Sequence, residues 1–247
     1  MEENDVDNRD DINGEHEADD DEELARGPDM RYELTITFEE AVFGCEKEIE
    51  LLRWEICTHC EGSGAQPGTE TPACLGCQGT GKISPEPRSS YTSVIICDQC
   101  QGAGYDIIML CEKCRGQKRV RNHHRELVNI PAGVGNGINV RVTGAGDVSA
   151  RGGTPGNLYV ALTVKPHSFF KRQGTDVLYE LPISSKQAAN GDEAKVPTLD
   201  GKTTILKIPA GTESNRLFRL AGMGVPVVHS SDRGDLFVLV KVSEDNS

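Results

Sequence analysis

Eight of the nine cysteines in this 247-residue chain fall into four Cys-x-x-Cys pairs. They are Cys57 with Cys60, Cys74 with Cys77, Cys97 with Cys100, and Cys111 with Cys114. A two-residue spacer lets both sulfurs of one knuckle reach a single ion at about 2.3 Å in a tetrahedral site. Each site needs two knuckles, so eight thiolates make two sites of four sulfurs, suited to two zinc ions. A closed four-cysteine site has no open coordination position and is structural rather than catalytic. No export signal is visible, so the cysteines read as metal ligands rather than disulfides. Spacing alone leaves the partners open. Adjacent pairing (first knuckle with second, third with fourth) and nested pairing both satisfy it.

Glycines follow the knuckles at a regular place. Cys60 is followed by Glu61-Gly62-Ser63-Gly64, Cys77 by Gln78-Gly79-Thr80-Gly81, and Cys100 by Gln101-Gly102-Ala103-Gly104. Glycine there permits positive φ, so the chain can fold back and aim amides at the sulfurs. The fourth unit reads Arg115-Gly116-Gln117-Lys118, with lysine in place of the second glycine. Its first glycine is kept, and the site is expected to persist. Cys45 has no cysteine or histidine at ligand spacing and reads as a free thiol. His59 reads as a spare position inside a knuckle, and His123-His124 as a pair just before a strand. No nucleophile triad, phosphate loop or paired catalytic carboxylates emerge, so the chain reads as a non-enzyme.

Residues 57–118 carry little apolar material beyond Val94–Ile96 and Ile107–Leu110. A segment so poor in core needs a metal to hold it together. The flanks differ. Met30, Tyr32, Leu34, Ile36 and Phe38 alternate with polar residues, the period of a half-buried strand. Phe38–Phe43 reads as a short helical turn or a connection, and Glu46–Trp54 as a second strand. Further strands are expected over Glu126–Ile130, Asn139–Val142 and Leu158–Val164. A repeat then shows itself. Ile130-Pro131-Ala132-Gly133 recurs as Ile208-Pro209-Ala210-Gly211, 78 residues later. Val140–Gly146 resembles Phe218–Gly224, and Gly156–Val160 resembles Gly234–Val238. Three matched blocks in one order imply two copies of one β-rich subdomain. The cysteine segment interrupts the first copy, and the second runs from about Phe169 to Val242.

The formal net charge is −13. Residues 1–25 hold 13 acidic side chains and one arginine, so the remaining 222 residues carry 26 acids against 25 bases. The acidic stretch, to about residue 28, reads as disordered, because self-repelling carboxylates cannot offset the entropy of ordering. A near-neutral body argues against nucleic acid as a partner. No run of about 18 apolar residues exists to span a membrane. These features point to a cytoplasmic protein.

Four Cys-x-x-Cys-x-Gly-x-Gly units, the last imperfect, set inside a duplicated β-subdomain, resemble the zinc-containing DnaJ-type co-chaperones. So do Phe38-Glu39-Glu40-Ala41-Val42-Phe43-Gly44, Gly152–Val160, Lys165–Arg172 and Gly234-Asp235-Leu236. The resemblance spans about residues 29–242. It implies a mainly β fold of two tandem, β-sandwich-like client-binding subdomains, 29–56 with 119–168 and then 169–247, with residues 57–118 as an inserted zinc-knuckle arm. It implies nested pairing: Cys57, Cys60, Cys111 and Cys114 around one zinc, and Cys74, Cys77, Cys97 and Cys100 around the other. It also implies a groove for unfolded or non-native polypeptide at Met30, Ile49, Leu51, Val128 and Val160, filled by strand addition to a sheet edge. A DnaK-type chaperone or a full-length DnaJ is the expected further partner. The chain departs from the family in three respects. It has no His-Pro-Asp tripeptide of a J-domain and no Gly/Phe-rich linker, and it stops at Ser247 where relatives continue into a dimerising helix. Met1 with its acidic stretch reads as a natural start. The competing readings of the same thiolates are thiol–disulfide exchange and iron or iron–sulfur carriage.

Overall fold

The computed structural model describes residues 26–83, 95–150, 153–228 and 230–243. Most of the acidic stretch, Val94 and the Arg151-Gly152 step lie outside the described residues. By contacts the chain forms two compact units. One comprises the chain up to Met30 with Glu50–His124 and Val142–Leu158; the other comprises Arg31–Ile49, Arg125–Arg141 and Tyr159–Ser247.

Strand β1 (Met30–Ile36) keeps the alternation expected of it, with Met30, Tyr32 and Leu34 half-buried, Ile36 buried and the residues between them exposed. Helix α1 (Phe38–Phe43) starts where Thr37 Oγ1 accepts the Glu40 N–H at 3.2 Å and Glu40 Oε2 accepts the Thr37 N–H at 2.9 Å. This reciprocal box satisfies two donors that a helix start would otherwise leave open. Gly44 ends the helix at φ 77°, and a Cβ there would meet the Ile130 carbonyl oxygen at 2.8 Å. Strand β2 (Cys45–Ile56) pairs with β5 (Arg119–Ile130). β5 begins seven residues earlier than its apolar pattern announced. Its first turns, Arg119–Arg125, carry polar or half-exposed side chains that show no hydrophobic period, yet their backbone pairs with β2. Between these two long strands lies the cysteine segment, in which β3 (Lys82–Ile83) pairs with β4 (Ile95–Ile96).

Strands β6 (Asn139–Val142) and β7 (Leu158–Val164) complete a sheet in the order β1-β7-β6. The second copy contains β8 (Phe170–Gln173), β9 (Asp176–Ser184), α2 (Ser185–Asn190), β10 (Asp192–Pro197), β11 (Thr203–Ile208), β12 (Leu217–Leu220) and β13 (Leu236–Ser243). Its sheet runs β12-β13-β9-β8, with β13 and β9 parallel, and β10 pairs with β11. Val177, Val196, Val225, Leu236, Val238 and Val240 are fully buried in its core.

The duplication runs deeper than the three blocks visible in sequence. Ser184 and Gln187 form the same reciprocal box at α2, and Gly191 closes that helix at φ 77°. Gly133 donates to the Ala41 carbonyl at 2.9 Å, and Gly211 donates to the Ala188 carbonyl at the same distance. Gly146 donates to Gly156, as Gly224 donates to Gly234. So β1-α1-β2 repeats as β9-α2-β10, at a spacing of 147 residues (Thr37 to Ser184), against 78 for the later blocks (Gly133 to Gly211). The surplus of 69 residues belongs to the first copy and contains all eight paired cysteines.

Candidate metal centres

Each knuckle opens directly after an ordered strand or bridge. Cys57 follows β2, and the Cys57 N–H donates to the Lys118 carbonyl at 3.0 Å, so the pairing of β2 with β5 runs into the first knuckle. Cys111 returns the bond, donating to the Gly64 carbonyl at 2.9 Å. The inner knuckles repeat the exchange: Cys74 donates to Gly104 at 2.9 Å and Cys97 to Gly81 at 3.0 Å. Each pair of knuckles is therefore tied by two reciprocal backbone bonds.

The sulfurs meet in nested order. In one cluster the Sγ atoms of Cys57, Cys60, Cys111 and Cys114 all lie within 4.8 Å of one another, and in the other so do those of Cys74, Cys77, Cys97 and Cys100. Four sulfurs at about 2.3 Å from a central ion, at tetrahedral angles, are about 3.8 Å apart. The separations match: 3.9 Å for Cys57–Cys111, 3.6 Å for Cys60–Cys114, 4.0 Å for Cys74–Cys97 and 3.6 Å for Cys77–Cys100. All eight side chains are buried, at 9% exposure or less. Apart from one half-buried neighbour each, Val120 and Ala103, the cysteines are the whole core of their clusters. Both sites fit a tetrahedral metal ion on donor type, donor number and spacing.

The second residue pair after each knuckle supplies amides to the sulfurs. Gly64, Gly81 and Gly104 donate to Cys60, Cys77 and Cys100 Sγ at 3.3, 3.1 and 3.3 Å. Their φ values are 79°, 73° and 79°, and Lys118, in the fourth unit, takes the same conformation at φ 66°. Its amide also bonds the Cys114 sulfur. Lysine thus does the backbone work of the missing glycine, at the strain cost of a side chain in the left-handed region. The residue directly after each knuckle is left-handed too: Glu61, Gln78, Gln101 and Arg115 lie at φ 49–52°. Nothing in those side-chain types announced it.

The metal-free thiols split in acidity. Burial opposes ionisation of Cys60, but the Gly64 amide and the Cys114 thiol outweigh it and lower its pKa to about 7. Cys100 is likewise lowered to about 7 by the Gly104 amide and Cys77, against burial. Burial pushes Cys74 and Cys114 up to about 12. Each cluster therefore has one thiolate ready at neutral pH to receive a cation, and one thiol that must lose its proton to the metal.

The sequence model of the DnaJ C-terminal domain matches residues 30–243. The chain belongs to this family. Among curated proteins it is similar to the chaperone protein DnaJ of Acetivibrio thermocellus, 44% identical over 220 residues, 88% of this chain and 57% of that protein. The chaperone protein DnaJ of a Roseiflexus species is 49% identical over 215 residues, 87% of this chain and 58% of the relative. That of Halalkalibacterium halodurans is 44% identical over 220 residues, 88% and 59% respectively. The chain thus spans just under three fifths of the length of the DnaJ proteins it matches.

The remaining positions singled out in the DnaJ-like sequence fall as follows. Met30 is half-buried, whereas Ile49, Leu51, Val128 and Val160 are 4%, 5%, 0% and 0% exposed. On the same strands the exposed large apolar side chains are Leu52, Ile56 and Leu127. His59 is exposed and outside both clusters. His124 lies within β5, 2.9 Å from Glu55, and Cys45 opens β2 as a half-exposed thiol. Sequence reasoning passed over Tyr105 and Trp54. Tyr105 donates its hydroxyl to the Ser63 carbonyl at 2.9 Å, joining the turn after one knuckle to that after another. Trp54 lies under Arg119 and Arg121, 4.6 and 5.5 Å from its ring centre. No helix among the described residues is long and apolar enough to cross a membrane.

Proposed function

We propose that this chain binds unfolded or non-native polypeptide segments as the client-holding part of a DnaJ-type chaperone. Two zinc ions act as structural staples of its cysteine arm, and it performs no catalysis of its own. The 247 residues contain no His-Pro-Asp tripeptide, so stimulation of a DnaK-type ATPase is not assigned to them; a DnaK-type chaperone or a full-length DnaJ is the proposed cytoplasmic partner. Residues 29–56 with 119–168 and residues 169–247 serve as the two client-binding subdomains, and 57–118 as the arm.

The observation that carries this reading is a difference between the two copies. In the second, β8 covers the outer edge of β9. In the first, among the described residues, nothing pairs with the corresponding edge of β1. An open edge is a template for an extended peptide. The Met30 N–H donates to Asn157 and the Ile36 carbonyl accepts from Lys165, on the β7 side. Alternation then turns the backbone groups of Arg31, Glu33 and Thr35 outward, free to pair with a client strand. The five groove positions divide in this reading. Half-buried Met30 lies on the edge strand, while Ile49, Leu51, Val128 and Val160 are buried and stabilise their own strands.

The test is suppression of aggregation of a chemically denatured test client by the purified chain. Wild type is expected to suppress it. Glu33→Pro, which removes an outward N–H and keeps the inward ladder, is expected to keep its melting temperature and lose most of the suppression. Failure of wild type to suppress aggregation of any denatured client would remove the proposal. A four-sulfur set also accepts iron, so metal analysis of protein grown in minimal medium decides between zinc and iron.

A further inference from the structure

Several cations among the described residues are ion-paired: Lys47 with Glu40, Arg125 with Glu48, Lys171 with Glu180, Lys207 with Glu193 and Arg219 with Asp235. One run gathers cations with no acid between them. Lys113, Arg115, Lys118, Arg119 and Arg121 place five cations in nine residues. Among the described residues, none of them makes an ion pair. Arg119 donates to the Val148 carbonyl at 2.8 Å, and it and Arg121 lie over the Trp54 ring. Lys118 lies over Tyr105. The Arg119 and Arg121 guanidinium groups are thus held by neutral partners and meet no carboxylate among the described residues.

The chain carries a matching excess of the opposite sign. Residues 1–25 hold 13 acids and one arginine, and their point of departure from the fold is next to the basic run. The Gly27 N–H donates to Thr154, and the Pro28 carbonyl accepts from Asp147. A Cβ on Gly27 would collide with the Asp147 backbone and meet the Ser149 nitrogen at 2.9 Å. Gly27 therefore packs against Asp147–Ser149, the loop whose Val148 carbonyl receives Arg119. Val148 and Asp147 also bond the Trp54 backbone, at 3.1 and 2.7 Å. An anionic segment starting there begins beside the loop that receives Arg119, and its attraction for cations acts over about one Debye length, 8–10 Å. At about 3.3 Å per extended residue, reach does not limit it.

We propose that the acidic segment 1–25 is a ligand in cis for the basic face Lys113–Arg121. The attraction is intramolecular, so the effective concentration is on the order of millimolar. It is also electrostatic, so salt weakens it. The proposal does not depend on client binding.

Trp54 is the only tryptophan and lies beneath two of the cations, so its emission reports on the face. A synthetic peptide of residues 1–25 is titrated into zinc-loaded full chain and into zinc-loaded chain lacking residues 1–24. The truncated chain is expected to bind at low salt, with a saturable change in Trp54 emission that disappears at 0.5 M salt. The full chain is expected to bind at least tenfold more weakly. Lys113→Gln/Arg115→Gln/Arg121→Gln in the truncated chain, all exposed positions, should abolish binding. In the full chain, carbodiimide crosslinks should join carboxylates of residues 1–25 to Lys113 or Lys118. Equal binding by full and truncated chains, no binding by either, or unchanged binding by the triple variant overturns the proposal.

Discussion

The second glycine after each knuckle is the most exacting position outside the cysteines, and substituting it puts a number on the metal site. Gly81→Ala places a side chain at φ 73°, with its Cβ 2.5 Å from the Gly102 carbonyl oxygen and 3.1 Å from the carbonyl carbon. The left-handed conformation alone costs a non-glycine residue about 1–2 kcal/mol. The contact is with backbone on the partner knuckle, so relief requires moving the turn that aims the Gly81 amide at Cys77. A combined loss of about 2 kcal/mol corresponds to roughly a 30-fold weaker hold on the metal. Gly104→Ala meets the mirror contact, 2.5 Å from the Gly79 carbonyl oxygen, and should cost the same. Gly64→Ala meets the Gly116 oxygen only at 3.0 Å, so it should pay the conformational cost and little more, a loss of about tenfold. Lys118→Gly, at the fourth equivalent position, removes a strained side chain and should hold metal as well as wild type or better. The assay is zinc release to a chromophoric chelator, which resolves the two sites as two steps. Gly81→Ala and Gly104→Ala should each weaken one step and leave the other within twofold. If both release zinc as wild type does, the cross-knuckle packing described here does not support the metal.

Other outcomes follow from the same geometry. Cys74 and Cys114 are thiols pushed up to about 12 while Cys60 and Cys100 ionise near 7, so zinc uptake should release protons, in increasing number as pH falls through 7; a release independent of pH between 6 and 8 would contradict the assignment, with indicator-dye titration as the measurement. Chelation should erase amide protection across the arm, whose buried clusters are built on cysteine, and spare β9–β13, whose core is aliphatic; hydrogen exchange reads both. Thr37→Ala and Ser184→Ala should each destabilise by about 1 kcal/mol in urea, because each removes one equivalent cap. The two boxes should differ with pH. Lys47 and the Thr37 amide hold the Glu40 carboxyl below its usual value, so its contribution is present in full above the ordinary carboxylate range and is lost as pH falls through the depressed value. Gln187 does not titrate, so the Ser184 box should be indifferent over the same range.

What the sequence determined by itself is local. Two-residue spacers made the metal donors legible, because a knuckle is formed by four consecutive residues. Period-two alternation marked β1 and β2, and three recurring blocks revealed the duplication. Tertiary structure decided the rest. Nested pairing follows from β2 and β5 lying side by side, which brings Cys57 and Cys114 to one end although 54 residues separate each bonded pair of that site; the nested set is what the family resemblance implied, and spacing could not choose it. The repeat of β1-α1-β2 as β9-α2-β10 is also written in the residues, Tyr32-Glu33-Leu34 and Ile36 recurring as Tyr179-Glu180-Leu181 and Ile183, but the inserted segment changes the offset from 78 to 147, and the matched caps and glycine contacts are what drew it out. The amphipathic strands showed that one face is buried without saying how deeply, and the structure shows Ile49, Leu51, Val128 and Val160 to be buried. The four paired knuckles are themselves divided in this way. Their sulfurs are named by spacing, but the left-handed residues that aim amides at them, Lys118 included, are chosen by the close approach of a partner knuckle, and that approach exists only in the folded chain.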